Sequence, residues 1–435
     1  MNAITPSKEE RAEKLQGMGC RRKRVEDIRF VQGKGNYVDD LKLPNMLYGD
    51  FTRSPYAHAR ITKIDTTKAA AVPGVVAVLT ADVLKTVNLA WMPTLAGDVQ
   101  MVLADGKVLF QNQEVAFVIA EDRYAAADAA ELVEVEYEAL PVNVDPLKAM
   151  ADGAPVIRED IKDKKEGAHG PRKHYNHVFA WQSGDKAKTD AVFAKADVTT
   201  KELIVYPRVH PCPLETCQCV ASFDKIKGEL TLWGTFQAPH VIRTVGSLIS
   251  KIPEHKIHVI APDIGGGFGN KVGAYSGYIC SIVASIVTGR PVKWVEDRIE
   301  NLSTTAFARD FHMETEIACT KDGKVLGLRC YTIADHGAFD ALRQREQVAG
   351  GPLQHHQRLV RFPRRTLPGR RRLHEQGAWR RRLSVLVPRH RGRLCDRARH
   401  GHHGAEARHG PGRVSLEKPD PARAVPLHVG VRLAI

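Results

Sequence analysis

Cysteine and aromatic residues are scarce in this sequence. The chain of 435 residues has 8 Cys, and aromatic residues make up 6% of it. Irregularly spaced cysteines in a chain of this length argue against a disulfide framework and favour reduced thiols. The longest apolar run, residues 278–287, is too short to cross a bilayer, and the charged first 16 residues lack the apolar core of a secretory signal. We therefore expect a cytoplasmic chain.

Positive charge is confined to one end of the chain. The formal net charge is +14. Residues 342–435 contain 22 basic residues (21 Arg and 1 Lys) against 6 acidic ones, a net +16, which leaves −2 for the first 341 residues. A large net positive charge normally suggests nucleic acid or an anionic surface as a binding partner. In this chain only the tail carries that charge. The tail has one Phe and no Tyr, and it keeps no strand or helix period for long.

Residues 31–141 alternate short predicted strands with one or two helices. The β-branched runs at 75–80 and 115–119 are typical of buried strands. A strand-like stretch at 46–61, a short helix at 69–71, an Ala-rich helix at 123–132 and a half-exposed strand at 133–137 complete an α+β module. Residues 142–186 are rich in Pro, Gly, Asp and Lys and predict a connector.

A second group of elements begins near residue 190. Its predicted strands lie at 198–206, 220–223, 230–235, 257–261, 292–295, 314–320 and 325–334, and a helix is predicted near 272–287. The segment 321–324 predicts a hairpin turn between the last two strands. The pattern stops at Ala341.

A glycine-rich run, Asp-Ile-Gly-Gly-Gly-Phe-Gly-Asn-Lys at 263–271, follows one predicted strand. It is predicted to open the next helix. Glycines at such a turn let the backbone approach a ligand, and its N–H groups with the helix dipole favour an anion such as phosphate. A tight turn without a ligand is an equal alternative on spacing alone. The run fits neither the dinucleotide-binding fingerprint nor the P-loop.

Two further segments carry polar or sulfur chemistry. Residues 233–240, Trp-Gly-Thr-Phe-Gln-Ala-Pro-His, end a predicted strand, and the Gln237 amide can both donate to and accept from a ligand. An ordinary strand-end amide is the commoner explanation. Cys212, Cys217 and Cys219 suggest a metal site, but no second Cys/His pair with zinc spacing lies near. We interpret them as buried small residues of strands and predict no metal ligand.

Together these motifs resemble the molybdenum subunits of the xanthine oxidase (molybdenum hydroxylase) family. Tyr-Val-Asp-Asp at 37–40, Arg-Ser-Pro-Tyr-Ala-His-Ala-Arg at 53–60 and Pro-Gly-Val at 73–75 resemble the hammerhead α/β domain that opens such subunits. Residues 235–239 and 265–269 match the family's two molybdopterin-contacting segments. The resemblance covers about residues 21–341.

The resemblance implies a domain plan and a cofactor site. We expect a hammerhead α/β domain at 20–141, a connector at 142–186, the N-terminal part of a molybdopterin-binding domain at 187–341, and a disordered basic tail at 342–435 that is not a native domain. Gln237 is expected beside the molybdenum oxo ligands, with the turn lining the cofactor. The implied cofactor-binding residues are Gln237, Gly265, Gly266, Gly267, Phe268 and Gly269.

Within the family, the tail points to the carbon monoxide dehydrogenases. Residues 383–392 can be back-translated into a DNA sequence with permitted codons. Reading that DNA one base further forward gives Tyr-Arg-Cys-Ser-Phe-Arg-Val-Thr-Glu. The first six of these residues form the loop that distinguishes these enzymes. Segments 369–380, 392–398 and 415–428 recode in the same frame and in family order. The amino-acid sequence read in the shifted frame contains Tyr, Lys, Ile and Phe, as expected of a chain that folds. We therefore predict a shifted reading frame after about Ala341.

The resemblance also implies cofactors and partners. They are molybdopterin cytosine dinucleotide, a flavin-binding medium subunit and a small two-iron, two-sulfur subunit, in a dimer of heterotrimers at or near the inner face of the membrane. A cysteine thiolate holds copper(I) in such enzymes, as suits a soft ligand. That position is Val385 here, and the family's catalytic glutamate belongs to a second half that is absent. We thus predict no catalytic residue and no activity for the chain as written.

Two alternatives stay open at this point. One is a general molybdenum hydroxylase of aldehydes or purines, which an unshifted loop lacking Tyr-Arg-Cys-Ser-Phe-Arg would favour. The other is a genuine basic tail that binds nucleic acid, which salt-dependent binding by the tail alone would support. The near absence of Lys and aromatic residues from the tail argues against the second alternative.

Overall fold

The structure is a computed structural model of the chain. It describes residues 23–93, 99–161, 166–167, 170–171, 175–339 and 427–434. Helices and strands are numbered below in chain order.

Within its described residues, the first segment contains eight strands and four short α-helices. They are α1 (Asp27–Val31), β1 (Leu47–Arg53), β2 (Ala59–Asp65), α2 (Thr67–Ala70), β3 (Val75–Thr80), α3 (Ala81–Thr86), β4 (Trp91–Pro93), β5 (Val99–Met101), β6 (Lys107–Val108), β7 (Glu114–Ala120), α4 (Arg123–Glu131) and β8 (Glu134–Ala139). The single strand predicted at 46–61 is wrong. A turn at residues 54–58 divides it into β1 and β2, and Pro55 in that turn cannot donate a ladder hydrogen bond.

The second segment is longer and also mixes helices with strands. Its elements are β9 (Glu166–Gly167), β10 (Gly170–Pro171), β11 (His177–Gly184), α5 (Lys186–Phe193), β12 (Val198–Tyr206), β13 (Gln218–Asp224), β14 (Glu229–Gly234), α6 (Pro239–Ser250), β15 (Ile257–Ile260), α7 (Ser276–Thr288), β16 (Val292–Val295), α8 (Arg298–Thr304), β17 (Phe311–Cys319) and β18 (Val325–Asp335). The predicted hairpin at 321–324 is confirmed, since β17 and β18 pair antiparallel. The α+β class is confirmed as well.

A seven-stranded sheet joins the two segments. Its strand order is β15-β14-β13-β16-β1-β7-β3. The joint is a parallel pairing of β1 with β16, in which Leu47 lies opposite Val292. β7, buried at every position, pairs antiparallel with the other edge of β1. Strands from the hammerhead-like segment and from the second segment therefore share one hydrogen-bonded layer.

Helix α7 packs on this sheet and forms much of the core. Gly277 lies so close to the Trp294 ring that a Cβ atom there would come within 2.3 Å of it. The stretch Asn270–Thr288 is the one described segment with the length and hydropathy of a membrane span, and 67% of it is buried inside the protein. Because this surface is covered by β13 and β16, we assign the stretch to the core.

The other sheets are smaller. β6, β2 and β8 form a three-stranded sheet, while β4–β5 and β9–β10 are two-stranded. The five-stranded sheet has the order β11-β19-β18-β17-β12, where β19 is Leu427–Ala434.

Strand β19 differs from the disorder that we expected for the tail. It is the only part of residues 342–435 that the structure describes. It pairs parallel with β18 and antiparallel with β11. The physical reason is that both neighbours present unpaired backbone groups, which an extended segment satisfies. Residues 427–434 alternate apolar Leu and Val with other residues, a strand pattern that the sequence analysis missed.

Candidate functional site

The glycine turn (residues 263–271) links β15 to the core helix α7. Gly266 and Gly269 have φ angles of +97° and +93°, a region that favours glycine. The backbone of Phe268 also adopts the left-handed conformation, with φ +53°, and the residue is 76% exposed. A bulky residue in this conformation is uncommon, and such strain is concentrated at ligand-binding and active sites.

The predicted helix start directly after Lys271 is wrong. A single 3-10 turn, Asn270–Val272, follows the glycines, and α7 begins only at Ser276. Gly273 is extended (φ −68°, ψ 160°) and interrupts the helical path. The helix dipole of α7 acts only within about its first turn and does not reach the glycines. The prediction that this dipole favours an anion at the glycine turn is therefore wrong.

Gln237 and the glycine turn are in direct contact, although 28 residues separate Gln237 from Gly265 along the chain. The Gln237 side-chain Oε1 accepts hydrogen bonds from Gly269 N at 3.0 Å and Lys271 N at 3.1 Å. The Gln237 main-chain N donates to Lys271 O at 2.9 Å. A Cβ atom on Gly267 would lie 2.5 Å from Gln237 Cδ. Glycine is therefore required at 267 for this close approach.

These bonds orient the Gln237 amide. Two backbone N–H groups donate to Oε1, and they thereby fix the position of the Nε2 amino group on the opposite side of the amide carbon. The Gln237 side chain is exposed. Within the described parts of the chain, Nε2 donates to no acceptor. It therefore remains available to donate two hydrogen bonds to a ligand. The structure brings the predicted site residues Gln237, Gly267 and Gly269 together around one amide.

An ion pair that the sequence analysis did not identify supports the turn. Lys271 is fully buried, and its Nζ lies 2.8 Å from Glu215 Oε2. The same oxygen accepts from Gly265 N at 2.7 Å, and Glu215 N donates to Gly265 O at 3.2 Å. A lysine inside a glycine-rich run was the available signal, because buried lysines need a partner. Its partner lies 56 residues away and could not be inferred.

A buried polar network lies beneath the end of the turn. Asn270 Nδ2 donates to Thr305 Oγ1 at 2.7 Å, and the Thr305 hydroxyl donates to Asn301 O at 2.7 Å. His210 Nδ1 accepts from Cys212 N at 3.0 Å, so the neutral ring carries its proton on Nε2, 2.9 Å from Thr305 Oγ1. Burial, together with the positive charge of Arg298, lowers the pKa of His210. The network fixes Asn270 directly after Gly269.

Glu296 is the buried acid of this network. Its Oε2 accepts from Asn301 Nδ2 at 2.7 Å and from Cys217 N at 3.0 Å. Burial raises the pKa of Glu296 to about 7, although both hydrogen bonds oppose the rise. The group therefore titrates close to neutral pH inside the protein.

The three cysteines do not form a cluster. Cys212 is exposed, whereas Cys217 and Cys219 are buried. Burial, reinforced by Glu296, raises the pKa of the Cys217 thiol well above its ordinary value, and burial raises the pKa of Cys219 to about 12. Thiols held protonated in this way are poor metal ligands. Among the described residues, no group of three or more His, Cys, Asp or Glu side chains could hold a metal ion.

The N-terminal segment contacts the start of the turn. Arg29 forms a bidentate ion pair with Asp263, and Asp263 Oδ2 also accepts from Asn36 N at 2.7 Å. Asp263 N donates to Asn36 O at 3.1 Å. The Arg29 guanidinium lowers the pKa of Asp263 below its ordinary value, and the Asn36 amide adds to the effect. Residues outside the predicted site thus fix the entrance of the turn.

The described residues fit a polar heterocyclic cofactor. A Cβ atom on Gly269 would meet nothing within 4 Å, which leaves open space at the turn. The Gln237 amino group faces no acceptor among the residues that the structure describes, and Phe268 offers an exposed ring. Close backbone approach, an apolar ring and a few polar donors are the features that ligand sites combine.

Family models identify both segments. Residues 32–141 match the a/b hammerhead domain of aldehyde oxidase and xanthine dehydrogenase. Residues 169–366 match the molybdopterin cofactor-binding domain. The chain therefore contains the hammerhead domain of the aldehyde oxidase and xanthine dehydrogenase family, followed by molybdopterin cofactor-binding domain sequence.

Within that family the chain is a homologue of carbon monoxide dehydrogenase large chains. It is 76% identical over 338 residues to that chain of Afipia carboxidovorans and 65% identical over 341 residues to that of Hydrogenophaga pseudoflava. Each alignment covers 78% of this chain and 42% of the relative. A crystal structure of a Cu,Mo-CO dehydrogenase in its carbon monoxide-reduced state superposes with a TM-score of 0.71 at 76% identity, over 74% of this chain and 41% of that one. The chain spans about two fifths of the length of these relatives.

Proposed function

We propose that the chain derives from the catalytic molybdenum subunit of a carbon monoxide dehydrogenase, which oxidises CO with water to CO2. The observation that carries the proposal is the contact between Gln237 and the glycine turn, at two segments that match the family's cofactor-contacting motifs. The 76% identity to a carbon monoxide dehydrogenase large chain supports this reaction over others in the family.

The residues of this chain would bind and orient the cofactor, molybdopterin cytosine dinucleotide. Gln237 would donate from Nε2 to an oxygen of the bound group, while Gly266, Gly267 and Gly269 allow the backbone to approach it. Phe268 would cover one side of the ligand and exclude water. When bound, the cofactor would supply two-electron oxidation and reduction. In the intact assembly, iron–sulfur and flavin subunits would accept the electrons.

Copper does not fit this chain. The position that corresponds to the copper ligand is Val385, which lies outside the described residues, and a valine side chain has no donor atom for a metal. We infer that the polypeptide as written does not oxidise CO.

A shifted reading frame after about Ala341 explains this loss. The alignment with one relative spans 341 residues, 78% of this chain, and the basic composition begins after residue 341. The match to the cofactor-binding family model extends to residue 366. Resequencing the gene over codons 335–400 therefore brackets the change of frame. An open frame through Tyr-Arg-Cys-Ser-Phe-Arg supports the shift, and confirmation of the printed frame overturns it.

Two purified proteins test the function. The chain as written should give no CO-dependent reduction of an artificial electron acceptor dye. A full-length chain, corrected in frame and co-expressed with its iron–sulfur and flavin subunits, should reduce the dye with CO and not with aldehydes or purines. Dye reduction by the uncorrected chain would contradict its inactivity. Aldehyde or purine oxidation by the corrected assembly would replace CO dehydrogenase with a general molybdenum hydroxylase.

A further inference from the structure

The glycine turn is held at its two ends by different side chains. Gln237 fixes the end, through Gly269 N and Lys271 N. Glu215 fixes the beginning, through Gly265 N at 2.7 Å. The family motifs that we matched include Gln237 and the glycines, and they leave Glu215 without a role.

Lys271 connects the two supports. Its backbone exchanges hydrogen bonds with Gln237, and its fully buried side chain reaches Glu215 at 2.8 Å. A continuous path of contacts thus leads from Gly265 through Glu215, Lys271 and Gln237 to Gly269. Displacing one support alters the position of the other, because the backbone between them is only a few residues long.

The two oxygens of the Glu215 carboxylate differ in their surroundings. Its Oε1 is buried and has no hydrogen-bond partner among the residues that the structure describes. Leaving a buried polar atom without a partner is unfavourable. A side chain that carries this penalty while it holds a strained turn points to a role in binding.

We propose that Glu215, paired with Lys271, is a positioning residue of the cofactor site. It acts through the glycine turn: it holds Gly265 so that Gln237 Nε2 and the backbone of residues 266–269 keep the arrangement that receives the ligand. This inference rests on the proposed function, since the ligand is the pterin cofactor named there.

The test compares variants of the full chain. Glu215→Ala removes the support, whereas Glu215→Gln keeps an oxygen that can accept from Gly265 N. The double variant Glu215→Gln/Lys271→Met removes both buried charges and keeps the chain foldable if Glu215→Ala fails to fold. Glu254→Gln is the matched control, because Glu254 forms a half-exposed ion pair with Arg243 on the surface.

The first readout is hydrogen–deuterium exchange of the cofactor-free chain. In Glu215→Ala the amides of Gly265 and Lys271 should exchange about tenfold faster, the effect of losing one net hydrogen bond. Amides of β13, β14 and β16 should keep their wild-type rates, and Glu215→Gln should restore much of the protection at Gly265. A uniform rise over the sheet, or no rise at the turn, would overturn the positioning role.

The second readout is the pterin retained per chain after expression with the enzymes that make molybdopterin cytosine dinucleotide. It is measured as fluorescence of the released, oxidised pterin. Glu215→Ala should retain about tenfold less than the wild type, and the control should match the wild type. Equal retention by Glu215→Ala would overturn the inference. If the wild-type chain retains none, the proposed cofactor binding fails for this chain, and the exchange data still decide whether Glu215 positions the turn.

Discussion

Replacing Gly267 with alanine tests the contact on which the candidate site depends. A Cβ atom at this position would lie 2.5 Å from Gln237 Cδ and 2.6 Å from Gln237 Oε1. Both distances are too short for non-bonded atoms, so one group must move. Gly267 is not among the glycines with positive φ, and alanine therefore adds no backbone strain of its own.

The exposed Gln237 side chain is the group that moves more easily. A rotation away from residue 267 relieves the overlap and breaks both hydrogen bonds from Gly269 N and Lys271 N to Oε1. Each such bond contributes about 0.5–1.5 kcal/mol, so the turn should lose about 1–3 kcal/mol. If Gln237 stays in place, overpacking costs about the same, 1–3 kcal/mol.

Hydrogen exchange at individual amides measures this loss. The amides of Gly269 and Lys271 should exchange about 5- to 150-fold faster in Gly267→Ala, which is the same free energy expressed as a ratio. Gly246→Ala in α6 is the control, because a Cβ there meets Ile282 and Ile257 at ordinary distances of 3.7 and 3.9 Å. The control should be neutral or about 0.5–1 kcal/mol more stable, as expected for glycine replaced inside a helix.

Wild-type exchange rates at both amides in Gly267→Ala would refute the contact. That result would mean that the turn and Gln237 are not in contact in solution. The predicted orientation of the Gln237 amino group would then be lost as well.

Two further predictions concern buried acidity and the tail. Because the pKa of Glu296 rises from 4.5 to about 7 on folding, the folded chain keeps a proton that the unfolded chain releases between these values. The free energy of unfolding should therefore fall as pH rises through this interval, by up to about 3 kcal/mol. The variant Glu296→Gln should weaken the dependence of melting temperature on pH between pH 5 and 8. An unchanged dependence would contradict the raised pKa of Glu296. Deleting residues 427–435 removes β19 from between β11 and β18, so proteolysis near residues 177–184 should quicken, and equal cleavage rates would show that β19 does not protect β11.

Local sequence patterns predicted many of the strands. The strands Val75–Thr80, Val198–Tyr206 and Val292–Val295 have the bounds that the sequence analysis gave them. The first of these is an unbroken run of β-branched or apolar residues, and such a run carries its own signal.

Other elements were missed for identifiable reasons. Helix α6 has Pro239 at its first turn. This start signal was not used, because residues 233–240 were interpreted only as the end of a strand. Strand β11 lies in a region whose composition resembles a linker. Strand β19 lies in a segment considered too poor in apolar residues to fold.

The candidate site was predicted only in part. Its glycines and Gln237 stand out because the motif residues are close together in sequence. Glu215, Asn301 and Thr305 do not, because each acts through a hydrogen bond to a residue more than 30 positions away. Such pairings depend on the tertiary fold, which sequence periodicity does not encode.

The parallel pairing of β1 with β16 has a consequence for synthesis on the ribosome. Leu47 and Val292 are 245 residues apart, and translation at about 5–20 residues per second needs roughly 10–50 s to span them. Throughout that time the nascent β1 strand has an open edge, a template for pairing with other chains. Chains that stop before residue 295 never close it. Nascent chains of this protein are therefore vulnerable to aggregation during a defined interval, and a chaperone that covers β1 would act within it.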